Sequence, residues 1–190
     1  MDNRIRLGSN SQTRAKILKD ANIDFVQTGG SFDEEQIRTN KPYEFVKIAS
    51  KGKFDELYKK YGVEEFPLLV ADSVVVSQNK LLRKPKNKEE AKYMLELQSG
   101  TPTSIITSMI YKSKSTYIED RSIATYYFDE FDKQDLENYL KSNQWKGKAG
   151  AIMVEGFCKP YIKSFEGYES TAMGLCIEKL MPYISQGKLK

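Results

Sequence analysis

The sequence predicts an α/β fold in which a mixed, twisted sheet is flanked by helices, with residues 1–190 forming one domain. Three observations carry that reading. Segments of strand-like and helix-like periodicity alternate along the chain, the pattern of helices laid against a sheet. Residues Leu68-Leu69-Val70-Ala71-Asp72-Ser73-Val74-Val75-Val76 form a nearly continuous apolar run, as expected of a strand covered on both faces. Two strand-like segments, 105–111 and 122–128, follow one another without a helix between them, so the sheet is mixed and not purely parallel.

The chain opens with a short strand at Ile5-Arg6-Leu7 that breaks at Gly8 into Ser9-Asn10-Ser11, and a helix over 13–21 follows with Ser11 as its N-cap. A strand at 25–28 runs into Gly29-Gly30-Ser31, a flexible loop carrying Asp33-Glu34-Glu35. Apolar residues at helical spacing from Phe45 to Tyr61 predict a helix over 42–61, with Gly52 as a soft spot, Gly62 as its stop, one packed face and a lysine-bearing outer face. After the central strand and a turn at Gln78-Asn79, Asn87 and Glu90 mark a capping-box-like start for a helix ending near Leu97. The two adjoining strands are expected to meet across 112–115 and the charged Glu119-Asp120-Arg121. Asp132 opens a helix to about Ser142. Strands near 152–154 and 161–165 and a closing helix over 171–184 complete the chain. No internal repeat, low-complexity linker or domain boundary interrupts it.

Composition narrows the chemistry. At 39% hydrophobic and 12% aromatic, 190 residues can fill one core or two lobes sharing a cleft. Thirty Lys and Arg against 26 Asp and Glu leave +4, too mild for duplex nucleic acid but suited to a small anionic ligand. The absence of histidine excludes Ser-His-Asp and Cys-His catalysis and His-ligated zinc. Cys158 and Cys176 lack the spacing of a zinc site and read as reduced structural thiols. No segment approaches the roughly 20 apolar residues needed to cross a bilayer, and the expectation is a cytoplasmic protein with no membrane partner.

Asp72 stands out because a carboxylate inside a run of Leu and Val is costly unless cations or donors meet it. An isolated Asp would read as a turn cap, but Val74, Val75 and Val76 continue the strand beyond it. The acidic cluster at 33–35 follows a glycine pair, so its carboxylates can join Asp72 around Mg²⁺ or Mn²⁺; taken alone it reads as a solvated loop. Lys51, Lys53, Lys84 and Lys148 each read as surface lysines and together supply charge for phosphate. Gly8-Ser9-Asn10-Ser11 at a strand-to-helix turn offers hydroxyls, free N–H groups and the positive helix end to an anion. No Walker loop and no Gly-x-Gly-x-x-Gly motif occurs. Tyr126, Tyr127, Phe128, Phe131 and Trp145 read as core and not as base-stacking platforms.

In order and spacing these segments resemble the Maf family of nucleotide pyrophosphatases, once described as septum-formation inhibitors, over nearly the whole chain. Residues 7–14 resemble the family's Leu-Ala-Ser-x-Ser-Pro-Arg-Arg, Phe32-Asp33-Glu34 its Val-Asp-Glu, and Ala71-Asp72-Ser73 its Ala-Asp-Thr. Lys84-Pro85 stands at Gly-Lys-Pro, Lys148-Ala149-Gly150-Ala151 at Asp-Lys-Ala-Gly-Ala, Glu155-Gly156 at Gln-Gly or Glu-Gly, and Gly174-Leu175 at Gly-Leu-Pro. The resemblance implies a Maf/ITPase-like fold of two lobes around a deep cleft, often dimeric, and hydrolysis of nucleoside triphosphates to a monophosphate and pyrophosphate. It implies that Asp72 activates water, that Glu34 and Asp72 hold a divalent metal cation, and that Ser9, Ser11, Arg14, Lys84 and Lys148 contact phosphates. Thr13, Ser73 and Glu155 fall on positions associated with specificity.

Departures are also visible. Gln12-Thr13 replaces Pro-Arg, Ser73 replaces Thr, Arg83 precedes Lys84 where Gly is usual, Cys176 replaces Pro, and Lys51-Gly52-Lys53 stands where the family has Glu-Lys. The expected role is nucleotide-pool house-cleaning, with a nucleotide substrate, a homodimer as the assembly the resemblance allows, and no stable nucleic-acid complex. Alternatives are a 7-methyl-GTP pyrophosphatase, favoured by Glu155-Gly156-Phe157, or a non-catalytic nucleotide-binding regulator of cell division.

Overall fold

The structure, a computed structural model, describes residues 4–185. Its strands form one seven-stranded mixed sheet in the order β2-β1-β3-β5-β6-β7, with β4 paired to β3 off this path. The first half is wound in parallel. Strand β1 (Ile5–Leu7) leads through α1 (Gln12–Asp20) to β2 (Phe25–Gln27), and α2 (Pro42–Tyr61) leads on to β3 (Leu68–Ser77). Both β2 and β3 pair with β1 in parallel, one on each side of it. The strand order therefore reverses at β1, and the C-terminal end of β1 and the middle of β3 border the cleft, near the switch point where sheets of this kind bind ligands.

The second half is antiparallel. Strand β3 turns at Gln78 and Asn79, both at positive φ, into β4 (Lys80–Leu82), the two-residue hairpin geometry those residue types accept. After α3 (Lys88–Gln98), β5 (Pro102–Lys112) and β6 (Tyr117–Phe128) form a long hairpin. Helix α4 (Lys133–Ser142) precedes β7 (Ile162–Glu166), and the chain ends in α5 (Glu169–Ala172) and α6 (Ile177–Ser185). The expected caps are in place: Ser11, Asn87 and Asp132 each accept a backbone N–H at the start of α1, α3 and α4. Gly62, at φ 60, ends α2.

Helix α2 covers the even-numbered face of β3 with Phe45, Val46, Ala49, Phe54 and Leu57, all buried against Leu68, Val70 and Val74. Each large side chain among them contributes roughly 1.5–3 kcal/mol by its removal from water. Helices α1 and α6 cover the other face around Leu69 and Ala71, and α3 and α4 cover it around Val75 and Ile105. Tyr126, Phe128, Phe131 and Trp145 belong to this core, whereas Tyr127 points outward and its hydroxyl meets Glu166 at 3.2 Å. Cys158 and Cys176 are free and buried, and burial pushes the Cys158 thiol up to about 12. No helix among the described residues is long and apolar enough to cross a membrane.

Three sequence expectations are corrected. Glu119-Asp120-Arg121 does not connect strands but lies within β6, because the hairpin continues to Lys112 and Tyr117. Residues 152–154 form turns and not a strand: Gly150 and Ala151 precede them at φ 62 and 59, left-handed backbone that breaks a ladder. The closing helix is two helices, since Gly174 at φ 101 interrupts it between Ala172 and Ile177.

Gly150 shows how tightly its turn is seated. Its N–H donates to the Arg83 carbonyl at 2.9 Å, its own carbonyl accepts from Gln98 Nε2 at 2.7 Å, and an added Cβ would lie 2.8 Å from Val75 Cβ. Gly150→Ala should therefore lower stability by roughly 2–4 kcal/mol, from left-handed strain plus overpacking. Thermal unfolding should show a loss of about 5 °C or more; a Tm within about 1 °C of wild type would refute this packing account.

Candidate active site

The site exists because one edge of β3 is only partly paired. Strand β1 pairs with Leu68 and Leu69, β4 pairs with Val75, Val76 and Ser77, and neither ladder reaches residues 70–74. In a closed sheet Asp72 and Ser73 would point to opposite faces and never meet. Here both faces open at the same notch, into a cleft of about 560 Å³ lined by Asp72 and Ser73 alike. The chain leaving β1 also enters this notch. Gly8 permits the approach, since an added Cβ would lie 2.5 Å from Leu57 Cδ1 and 2.7 Å from Val70 Cγ1.

Residues 9–14 then form a wall at the start of α1. Ser11 caps the helix by accepting from Arg14 N at 3.3 Å, and Ser9 Oγ accepts from Ser11 N at 3.2 Å and Arg14 Nη1 at 3.1 Å. The guanidinium is fixed on two further sides, donating from Nε to the Gly174 carbonyl at 2.7 Å and from Nη2 to Ser73 Oγ at 3.3 Å. Thr13 lines the cleft from the first turn of the helix. The acidic cluster at 33–35 divides. Asp33 caps a short 3-10 turn, Glu35 faces outward to Arg83 at 3.1 Å, and only Glu34 turns into the cleft.

Lys53 is the residue that sequence reasoning placed wrongly. It is not a surface lysine: its Nζ lies 2.5 Å from Asp72 Oδ1 and 2.5 Å from Glu34 Oε1, bridging the two carboxylates. A signal was available. Lys53 continues the Val46, Ala49, Ser50 and Leu57 stripe at helical spacing, so α2 directs it at the sheet. Gly52 is likewise no soft spot. An added Cβ there would lie 2.1 Å from the Phe32 ring, so its bare backbone seats the residue two before Glu34.

The electrostatics separate the two carboxylates. Burial pushes Asp72 above the ordinary carboxylate range; Lys53 and Arg14 oppose that shift and Glu34 adds to it. Its Oδ2 is buried with no hydrogen-bond partner among the described residues. Burial would raise Glu34 too, but Lys53, Lys84 and Arg14 outweigh it and hold Glu34 below its usual value. Burial lowers Arg14 from its ordinary value against the pull of both carboxylates, yet a guanidinium starts so far above neutral that it stays charged. The two carboxylates are thus shifted in opposite directions, Glu34 down and Asp72 up.

Lys84 stands 3.7 Å from Glu34, while Lys148 lies across the cleft, 3.6 Å from Glu155. Val75, Ile105, Ile152, Val154 and Met173 add apolar side chains to the lining. All of Ser9, Ser11, Thr13, Arg14, Glu34, Asp72, Ser73, Lys84, Lys148 and Glu155 line this one cleft.

The raised Asp72 has a stability consequence. A carboxyl that releases its proton at higher pH when folded makes the folded state less stable as pH rises from the unfolded value, about 3.9, through the folded one. Asp72→Asn removes that loss, so the stability of the variant relative to wild type should rise from acid to neutral pH in urea unfolding. A constant difference across that range would contradict the assignment.

The chain matches the family model described as "Maf-like protein" over residues 4–186. It is 52% identical over 178 residues to a curated nucleoside triphosphate pyrophosphatase of a Nitratiruptor species, covering 93% of this chain and 96% of that one. It is 39% identical over 181 residues to a protein of the same name from Helicobacter pylori, covering 95% of each. A further such protein, from Campylobacter jejuni subsp. doylei, is 38% identical over 182 residues, 94% of this chain and 98% of its own. With the model matched over nearly its whole length and identity of this order across the cleft-bearing fold, the chain belongs to the Maf family.

Proposed function

We propose that the protein is a nucleoside triphosphate pyrophosphatase, releasing a nucleoside monophosphate and pyrophosphate, with Asp72 as the base that activates water. The observation that carries this is Asp72 Oδ2, buried and without a hydrogen-bond partner among the described residues, in a cleft that also presents Ser9, Ser11, Arg14, Lys53, Lys84 and Lys148. A site meant only to hold an anionic nucleotide gains nothing from a carboxylate at its centre, since like charge opposes binding. Such a group is explained by taking a proton or holding a cation. This sets the reading apart from a non-catalytic regulator.

In the proposed reaction water attacks the α-phosphorus as Asp72 takes its proton. The bond from that phosphorus to the oxygen bridging toward the β-phosphorus breaks, and the electron pair leaves with pyrophosphate. Ser9, Ser11, the N–H groups opening α1, Arg14, Lys84 and Lys148 hold the phosphate oxygens and neutralise their charge. Arg14 is pre-set for this by Gly174, Ser73 and Ser9, so little is lost in orienting it. Lys53 keeps Asp72 charged against its burial.

The donors fit a hard divalent cation. Glu34 and Asp72 supply carboxylate oxygens, one of them unpartnered, and the chain has no histidine to favour zinc. Among the described residues no cluster of three or more His, Cys, Asp or Glu side chains forms a closed cage. Two carboxylates shared with phosphate oxygens and water are what Mg²⁺ or Mn²⁺ accepts. Bound there, the ion supplies positive charge to the phosphates during cleavage. A house-cleaning role in the cytoplasm is the setting this reading calls for.

With Mg²⁺ or Mn²⁺, purified protein should release pyrophosphate as the first phosphorus product, and Asp72→Asn should lose roughly a hundredfold or more in kcat while remaining folded. Orthophosphate as first product, or near-normal kcat in the variant, would overturn the mechanism.

Glu155 tests the choice of base. From the cleft lining it can accept from donor-rich faces such as guanine's N1–H and N2–H₂, whereas glutamine both donates and accepts. GTP and 7-methyl-GTP should lead UTP and dTTP in kcat/KM, and Glu155→Gln should reorder the four. An unchanged ranking would reduce Glu155 to its ion pair with Lys148.

A further inference from the structure

Arg83, which stands where the family usually has Gly, lies outside the lining of the cleft but touches three of the segments that build it. Its Nη2 donates to the Glu34 carbonyl at 2.8 Å and to Glu35 Oε1 at 3.1 Å. Its guanidinium sits 4.8 Å from the centroid of the buried Phe45 ring on α2. Its own carbonyl accepts from Gly150 N at 2.9 Å, in the turn that follows Lys148. We propose that Arg83 is a positioning residue: it fixes the backbone of the 34–36 turn against the opposite wall, so that the Glu34 carboxylate is held ready for the substrate's cation.

Only contacts that survive the arrival of a ligand can hold the turn. The Glu34 carboxylate touches Lys53 and Lys84. Phosphate oxygens would draw Lys84 away, and Lys53 is shared with Asp72, 2.5 Å from its Oδ1, so neither cation by itself holds the turn in place during binding. Arg83 grips the backbone carbonyl instead, leaving both carboxylate oxygens of Glu34 available to a metal ion. The preceding loop is tied to α2 by Ser31 N, which donates to Glu56 at 2.8 Å, and by Phe32 over Gly52; Ile37 is buried in the apolar cluster with Phe45 and Val74, with Leu81 of β4 packed against it. Among the described residues Arg83 is the side chain that hydrogen-bonds the backbone of the 34–36 turn from the β4 side, whereas Lys84 and Lys86 reach only its carboxylates, at 3.7 and 4.0 Å. The Arg83 donor is charged and the same guanidinium lies over the Phe45 ring, which makes the tie stronger than a neutral surface hydrogen bond. A carboxylate on a short turn after Gly29-Gly30 would otherwise sample many positions and hold a cation weakly.

This inference rests on the proposed role of Glu34 as a cation ligand, and the test separates the two. Arg83→Met keeps an unbranched apolar side chain beside Phe45 but has neither charge nor donor, and Arg83→Lys restores a charged donor. In the protein without nucleotide, amide hydrogen exchange at residues 35–37 should quicken roughly tenfold in Arg83→Met, the loss expected for one charged hydrogen bond, and recover in part in Arg83→Lys. In turnover, the Mn²⁺ concentration for half-maximal pyrophosphate release and the nucleotide KM should rise by a similar factor in Arg83→Met, with kcat at saturation changed far less, and fall back toward wild type in Arg83→Lys. Unchanged exchange, or faster exchange with no change in KM and Mn²⁺ requirement, would overturn the proposal. If wild type turns over without any divalent cation, the metal role of Glu34 falls, yet faster exchange with a raised KM in Arg83→Met would still support Arg83 as the residue that positions Glu34.

Discussion

A carboxylate in the middle of a buried strand needs opposite charge within a few ångströms, and the surroundings of Asp72 are organised by that need. Helix α2 supplies Lys53 and α1 supplies Arg14, and Lys53 in turn draws in Glu34. Removing one member of such a buried pair typically costs about 3–5 kcal/mol, because the remaining charge is left uncompensated. The register of the two helices on the sheet is thus coupled to the chemistry of the cleft. The compensation is still incomplete, since Asp72 Oδ2 has no partner among the described residues and burial keeps the group above its ordinary pKa. That residual instability is what makes the carboxylate receptive to a proton or a cation.

The same position divides the core. On the α2 face, Asp72 and the Ser50–Ser108 hydroxyl pair, 2.9 Å apart, separate the apolar cluster around Phe45 and Val74 from that around Phe54 and Val70. On the other face, Ser73 meets Thr107 at 2.8 Å, and Thr107 donates to the Thr171 carbonyl at 2.8 Å, between the clusters around Leu69 and Val75. A polar row crosses the sheet on both sides at the level of the cleft. Each hydroxyl pair contributes only about 1 kcal/mol net but would cost more if left unmade. The row therefore specifies which residues of β3 and β5 stand opposite each other more than it adds stability, and it carries the setting of Ser73 and Arg14 through to the 170–174 segment.

The turns around the cleft carry its polar groups, and they are fixed by backbone hydrogen bonds and by glycines where chains approach closely. Gly8 lets the β1 end come against Val70, Gly52 seats Phe32, and Gly150 lies on Val75. Trp145, buried and donating to the Leu140 carbonyl at 3.0 Å, anchors the segment that bears Lys148. Tyr139 donates to the Ala151 carbonyl at 2.9 Å from below. Lys84 and Lys148 face the cleft as long side chains on short, tethered backbone, a combination that permits adjustment to the proposed phosphate ligand while limiting the entropy lost on binding.

The sequence by itself determined the helices α1, α2, α3 and α4 and the central strand, because periodicity and caps are local: Ser11, Asn87, Asp132 and Gly62 act within one turn of their own helix. It also singled out Asp72, since a lone charge in an apolar strand is visible without a structure. Lys53 was misread as a surface lysine because it stands beside a glycine in a basic helix, although its spacing from Val46, Ala49, Ser50 and Leu57 marked the face it shares with them. The failed strand at 152–154 and the split closing helix depend on left-handed residues whose φ is set by distant contacts, at Val75 for Gly150 and at Arg14 for Gly174. Only the tertiary structure decided that Asp72 and Ser73, pointing to opposite faces of one strand, share a cleft. That follows from the unpaired edge at residues 70–74, a consequence of how short β1 and β4 are and where they stop along β3.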